Sequence, residues 1–377
     1  MNIFRRRKIE YTSGSLSRKA WKKFLGNKLS LAALIYILLS VVVALLGYFI
    51  TPDRTPMANR QTLELATKKP GFKIMMLKVM KEEKVRQKGI FHQMLFGQRS
   101  EYQYLPVQDY KYCDGRLTIR EYSGEDGVAG LERIIKIDQN QINDQLIERR
   151  FLLGTDQFGR DILSRLMIGS RVSLAVGLIS VIISLLIGVT IGSLGGFFRG
   201  WIDKVVVWLI NVVWSIPTLL LVIAITFALG KGFWQVFIAV GFTMWVEVAR
   251  ITRGQILAMR EKEYVEAAKA LGFSNFRTIF RHILPNASGP IIVISAANFA
   301  SAILIEAGLS FLGIGVQPPL PSWGSMIREN YAYLLLDAAH LAILPGLAIM
   351  LIVLSFMITG NGLRDALDVK AQDTIQT

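Results

Sequence analysis

Few residues in this sequence are arranged for chemistry, and those that are suit ion pairing rather than bond-making. Asp156, Arg160, Asp161 and Arg165 stand close together. Asp161 and Arg165 are one helical turn apart and can pair, and Asp156 is placed to cap that helix. A metal or phosphate site is a second reading, but alternating acids and arginines more often satisfy each other. Glu306 is an acid near the outer end of an apolar run, where an ionisable group is a functional suspect by default. One turn from water, it can equally sit hydrated or paired. No GxxxxGK[ST] phosphate loop occurs, so the chain is not expected to bind and hydrolyse ATP itself. Three scattered histidines and one cysteine, Cys113, make neither a zinc site nor an intrachain disulfide. No Ser–His–Asp set or carboxylate pair can be argued on spacing, so no catalytic residue and no cofactor is expected.

The most informative polar stretch is Glu261–Asn286, which sits between two strongly apolar regions. It reads as two short helices. Glu261, Glu263 and Glu266 suit a helix start. Val265, Ala268 and Leu271 share one side, and Gly272 provides the left-handed stop. Ser274 can cap the second helix. There Phe276, Ile279, Phe280, Ile283 and Leu284 form one apolar stripe, and Pro285 is expected to end it. A helix, a glycine turn and a basic helix also describe a DNA-binding helix-turn-helix, and a net charge of +15 is compatible with that. The flanking spans exclude it. Arg277 and Arg281 share their short helix with the apolar stripe, and a duplex about 20 Å across cannot approach a segment held against a bilayer.

The elements that must position these residues follow from composition. Hydrophobic residues make up 52% of the 377, charged ones only 19%, and the mean hydropathy is +0.41. A multi-span helical membrane protein is indicated, with the basic excess serving lipid contact and topology. Residues 1–28 form a basic arm in which Leu16, Trp21 and Phe24 interleave with Arg5–Lys8, Arg18, Lys19, Lys22 and Lys23, as in an interfacial helix with rings at headgroup depth. Residues 29–50 form the first span, too long for a signal peptide and without a cleavage site, with the N-terminus inside. Residues 51–153 are a polar insertion expected outside the cytoplasm, its role docking or stabilising. In it 71–97 reads as partly helical, 117–122 as a strand, and 131–146 as either. Residues 154–377 hold further spans at about 173–194, 205–229, 233–248, 290–314 and 340–358, with a cytoplasmic loop at 250–289. Ser180, Ser184, Gly188, Gly192 and Gly196 recur every four residues and present a face for close helix packing. Pro217 is expected to kink the third span. Gly313–Gly324 is too rich in Pro and Gly for helix and reads as a rigid outer loop with Trp323 near the interface. Span counting and the arginine and lysine excess both put 250–289 inside, and the C-terminus with it.

Four segments carry a family resemblance. Glu266-Ala267-Ala268, three residues, Gly272, nine residues and His282-Ile283-Leu284-Pro285-Asn286 resemble the EAA loop of ABC-importer permeases. Gly154–Asp161 with Ser164, Arg165, Gly169 and Arg171 resembles the GTDxxGRDxxSRxxxGxR segment of that family's peptide and nickel branch. Leu309–Gly324 is similar to its LSFLGxGVQPPxPxWG signature. Gly360–Asp368 resembles the GDGLRDALDP ending, from which it departs at Asn361 and Val369. The likeness covers roughly 15–50 and 150–370 and leaves the insertion outside.

It implies an all-α polytopic membrane protein with six transmembrane helices of the type I importer kind and an α+β extracytoplasmic insertion between spans 1 and 2. The implied role is the second permease of a pair, importing dipeptides or oligopeptides across the bacterial inner membrane. Nickel chelates or another small solute are the alternative. The implied partners are a second homologous permease, two cytoplasmic ATPases that bind the ATP, an external substrate-binding protein and membrane lipid. Glu266, Ala267, Ala268, Gly272, His282 and Pro285 are implied to couple to the ATPase. Small Ala267 and Ala268 let another backbone come close, and Gly272 sets the angle between the two helices. Asp156, Arg160, Asp161 and Glu306 are candidates for structural or transport roles. Two readings of other classes remain. An ion-coupled secondary transporter would want inverted repeats and buried ionisable pairs. A membrane-anchored receptor built on 51–153 would need neither six spans nor this loop.

Overall fold

A computed structural model of the chain describes residues 16–82, 88–113, 116–124, 128–136, 142–230 and 232–367. Arg5–Lys8 of the basic arm and the last residues of the tail lie outside them. The helices in chain order are α1 (Leu16–Gly26), α2 (Lys28–Ile50), α3 (Ile90–Phe96), α4 (Ile142–Gln145), α5 (Ile162–Phe198), α6 (Gly200–Trp214), α7 (Thr218–Leu229), α8 (Phe233–Arg260), α9 (Glu263–Ala270), α10 (Asn275–Arg277), α11 (Leu284–Phe311), α12 (Trp323–Asn330) and α13 (His340–Leu367). A π turn, Thr278–Ile283, joins α10 to α11, so Asn275–Phe311 runs as one helix. Five of these, α2, α5, α8, Asn275–Phe311 and α13, are long and apolar enough to cross a bilayer, and α6 with α7 makes a sixth crossing if that bent pair is one span. At 37 residues α5 is about 55 Å long, well beyond a hydrocarbon core of about 30 Å. The helices run past the expected spans: α5 starts at Ile162 rather than Ser173, α8 continues to Arg260, and α13 continues to Leu367.

The helical frame is set by the small-residue face of α5, which lies on α8. A Cβ on Gly192 would stand 2.4 Å from the carbonyl oxygen of Ala249, and one on Gly188 would stand 2.6 Å from Val248. Ser180 Oγ donates to Phe237 O at 3.2 Å. Backbone contact of this kind replaces the hydrophobic driving force that helices lack inside lipid.

The third span corrects the expectation of one kinked helix. It is broken, α6 and α7 meeting at 90° across Ser215–Pro217. Pro217 has no N–H to continue the ladder and disfavours helical backbone at Ile216. Pro285 corrects it in the other direction. It lies in the first turn of α11 and does not end the helix, because the π turn before it absorbs the disruption.

The two ends of the bundle differ. At one, Phe197 closing α5 packs with Ile256, Val265, Ile279 and Ile283, and Gly289 abuts Leu367. There α1 also folds back. Phe24, 1% exposed, packs beside Gly362 of α13 and stacks on Trp21 with ring centres 5.7 Å apart. Of the two rings expected at headgroup depth, only Trp21 is exposed.

At the other end sits the insertion. Its sheet comprises β1 (Phe72–Met80), β2 (Tyr102–Cys113), β3 (Arg116–Tyr122), β4 (Ala129–Lys136) and β5 (Leu146–Phe151), in the order β4-β3-β2-β1-β5, all neighbours antiparallel. Met75 pairs with both Val107 and Glu148. Ile74 and Met76 pack with Leu65, Tyr122 and Phe151, whereas Leu77 packs with Val107, Leu117, Ile119 and Leu146 on the opposite face. The strand expected at 117–122 is present. The segment 71–97 is partly helical as read, in α3, but its first part is strand β1. A central strand covered on both faces loses its alternation and reads as a plain apolar run. Trp323, at the end of the loop, is buried at the start of α12, its Nε1 donating to Leu166 O at 2.9 Å.

Candidate functional site

The exposed bend between α8 and α11 is built by local rules. α9 begins with Glu263 and Glu266 in its first turn. It ends in a Schellman motif: the Gly272 N–H donates to Lys269 O at 2.9 Å and the Phe273 N–H to Ala268 O at 3.1 Å. Gly272 takes φ +74°, and a Cβ there would meet nothing within 4 Å. Its demand is therefore conformational, not steric. Ser274 Oγ accepts the Arg277 N–H at 3.3 Å and caps the next turn.

Val265 and Ala268 are buried and anchor α9, while Glu266 and Ala267 face outward. The expected apolar sides are only partly used. Leu271 is 74% exposed and Phe276 70%, and Phe276 stacks on Phe280 at 4.3 Å outside the core that takes Ile279 and Ile283. Among the described residues no segment covers that side. His282 is held in a stack, its ring on Phe273 at 5.4 Å with the Arg277 guanidinium 4.2 Å over Phe273. Pro285 is exposed at the start of α11. Ion pairs Arg199–Glu261 and Arg253–Asp203 (Nη2–Oδ2 2.7 Å) fasten the preceding turn and α6 to α8.

At the opposite end, Asp156, Arg160, Arg165 and Glu329 form a buried ionic hub. Arg160 Nε lies 2.6 Å from Asp156 Oδ2, and its Nη2 lies 2.6 Å from Glu329 Oε2. Arg165 reaches the same Glu329 oxygen at 3.1 Å and Asp156 at 3.6 Å. The expected Asp161–Arg165 pair does not form, and Asp156 does not cap α5. Asp161 is the cap, accepting the Ser164 N–H at 3.0 Å and the Ser164 hydroxyl. Asp156 Oδ1 instead accepts the N–H groups of Phe158 and Arg160 and shapes the turn. Glu329, on α12, displaces the local pairing. Burial pushes the Asp161 carboxyl above the usual carboxylate range, against the pull of the Ser164 bonds and of Arg149.

The hub also seats the insertion. Ser164 Oγ accepts the Asp53 N–H at 2.9 Å, and Thr155 Oγ1 bonds Leu65 O and the Lys68 N–H. Arg171 does a related task that its motif alone did not disclose. It donates to Met94 O at 2.7 Å, Leu95 O at 3.0 Å and Leu45 O at 2.8 Å, binding the ends of α2 and α3 together.

Glu306 is withdrawn from the surface. It is fully buried, accepting from Ser310 Oγ at 2.7 Å and Ser173 Oγ at 3.2 Å, and so joins α11 to α5. Besides Glu329, sequence reasoning missed Glu247, on α8. It lines a cavity of about 220 Å³ with Trp214, Thr218, Thr243, Ser301 and Ile305. Its signal was present, an acid inside the fourth apolar span.

Comparison with known proteins identifies the assembly type. Residues 188–372 match the family described as binding-protein-dependent transport system inner membrane component. Residues 15–66 match the N-terminal TM domain of oligopeptide transport permease C. The glutathione transport system permease protein GsiD of Pectobacterium atrosepticum is 42% identical over 218 residues, covering 58% of this chain and 72% of that protein. The dipeptide transport system permease protein DppC of Alkalihalophilus pseudofirmus is 42% identical over 217 residues, covering 58% and 71%. The oligopeptide transport system permease protein OppC of Bacillus subtilis is 41% identical over 217 residues, with the same coverage. A solved chain from the inward-facing MetNI methionine ABC transporter aligns with a TM-score of 0.46 at 17% identity, over 55% of this chain and 97% of that one.

The bundle is thus a multi-pass permease of the inner membrane. The chain belongs to the family of binding-protein-dependent transport system inner membrane components, the permease subunits of ABC importers. Its five-stranded sheet lies outside both matched segments.

Proposed function

We propose that this chain is one of two permeases of an ATP-driven importer of short peptides and that α9 is the handle its ATPase grips. The observation that carries the reading is the bend itself. Two buried side chains fix α9 to the bundle, while Glu266, Ala267, Leu271 and Phe276 stand exposed on a stiff, Schellman-closed turn. Such a rigid, half-apolar projection suits docking in a partner's cleft. Peptide as the cargo is supported by the names of the relatives, which carry dipeptide, oligopeptide and glutathione permeases.

In this reading the bend faces the cytoplasm, as do both termini, and the arginines and lysines around it fit that side. The ATP is bound by the partner ATPases, and this chain needs no cofactor. A homologous permease completes the path and an external binding protein delivers the peptide at the end that carries the sheet. ATP binding biases the two-state bundle between inward- and outward-open forms through α9.

The test is a photo-cross-linking side chain at Ala267 in the intact transporter. Capture of the ATPase subunit is expected. A second arm replaces Lys269 by Cys in a Cys113→Ser chain. Labelling of that cysteine in intact cells by a membrane-impermeant thiol reagent would invert the orientation and overturn the reading.

A further inference from the structure

Two features that are costly in lipid meet at one cavity. The first is Glu247, which lies halfway along the 28-residue α8 and is exposed on this chain. An ionisable side chain within a membrane-crossing helix faces water, a partner charge or a ligand. Among the described residues it forms no ion pair. The nearest candidate along its helix, Arg250, lies 3.5 Å over the Trp214 ring. The second feature is the broken helix pair. Its non-helical turn, Ser215–Pro217, opens at the same height, since Val213, Trp214, Ile216 and Thr218 line the cavity beside Thr243, Met244 and Glu247. Irregular backbone at membrane depth survives where it borders protein or a water-filled space. α6, at 15 residues, is too short to cross alone, so it needs α7 beyond the break to complete a crossing.

We propose that Glu247 is a recognition site for a cationic amino group on the translocation path. Its ligand is the ammonium of a peptide N-terminus or of a lysine side chain, seated against the carboxylate with the hydroxyls of Thr218, Thr243 and Ser301 and the apolar wall of Trp214 and Ile305 around it. One carboxylate among hydroxyls suits a monovalent alkylammonium. A divalent metal wants more anionic oxygen ligands, and among the described residues no group of three metal-ligating side chains exists. The ammonium identity rests on the peptide reading above; the cation preference of the cavity does not.

The experiment uses membranes holding the whole transporter, with Cys113→Ser and Ser301→Cys in this chain. The rates of two methanethiosulfonate reagents, one carrying a trimethylammonium group and one a sulfonate, are each divided by the reagent's rate with a free thiol. With Glu247 present the cationic reagent is expected to be favoured about fivefold or more. Glu247→Asp keeps the preference and Glu247→Gln abolishes it. Equal preference with Glu247 and with Gln overturns the site, and so does a cysteine that neither reagent reaches, which would mean a dry cavity or one filled by the second permease.

Uptake of a labelled dipeptide is measured alongside. Glu247→Gln is expected to lower uptake at least tenfold and Glu247→Asp to restore part of it. Wild-type uptake by Glu247→Gln overturns the ammonium assignment. If the wild-type transporter imports no dipeptide while the cysteine preference holds, the peptide reading falls and the cation site stands.

Discussion

Glu329 holds two arginines at once, and removing it should be among the most damaging single changes in the chain. Its Oε2 lies 2.6 Å from Arg160 and 3.1 Å from Arg165, whose side chains are 4% and 2% exposed. In Glu329→Met those two cations face Asp156 alone, and Arg165 keeps only a 3.6 Å contact. Breaking a buried pair by deleting one partner costs about 3–5 kcal/mol, because the charge left behind stays out of water. The local arrangement also predicts a rescue. Adding Arg165→Met returns the hub to one acid and one base, Asp156 and Arg160, already in contact at 2.6 Å. The double variant should therefore be more stable than Glu329→Met alone, a coupling of opposite sign to simple addition. The assay is thermal unfolding of the purified permease in lipid nanodiscs, followed by tryptophan fluorescence. A single variant as stable as the wild type, or a double variant less stable than Glu329→Met, would refute the charge-balance argument.

Gly272→Val should block uptake and uncouple ATP hydrolysis with the protein still in the membrane. A left-handed residue with a Cβ costs about 1–2 kcal/mol, and the βbranch adds to it; normal uptake by this variant removes the reason for singling out the turn, whereas Gly272→Asn should retain most activity. Gly192→Leu should destabilise the bundle by about 1–3 kcal/mol or more, because its side chain must enter the contact with Ala249. Gly254→Ala on the same helix pair has nothing within 4 Å and serves as the control, expected to keep or raise the unfolding temperature.

Much of the frame was written in local signals. Runs of apolar residues marked the crossings, and the four-residue spacing from Ser180 to Gly196 marked the face on which α5 meets α8. Gly272 and Ser274 announced a turn and a cap whose hydrogen bonds are closed within a few residues, and both form. These features depend on neighbours within one or two helical turns, so the sequence by itself determines them. Other features depend on distant residues. Arg165 had Asp161 nearby and took Glu329, far away in sequence, because α12 folds back over the start of α5. β1 was hidden because both its faces are covered, Ile74 and Met76 packing on one and Leu77 on the other, which erases its alternation. Phe276 and Phe280 belong to an apolar stripe by spacing, yet stay outside, since burial requires a second surface that the described residues do not supply there. Glu247 became a site only when the broken α6–α7 pair opened a cavity against it. Spacing fixes which residues share a face; only the folded chain decides what that face meets.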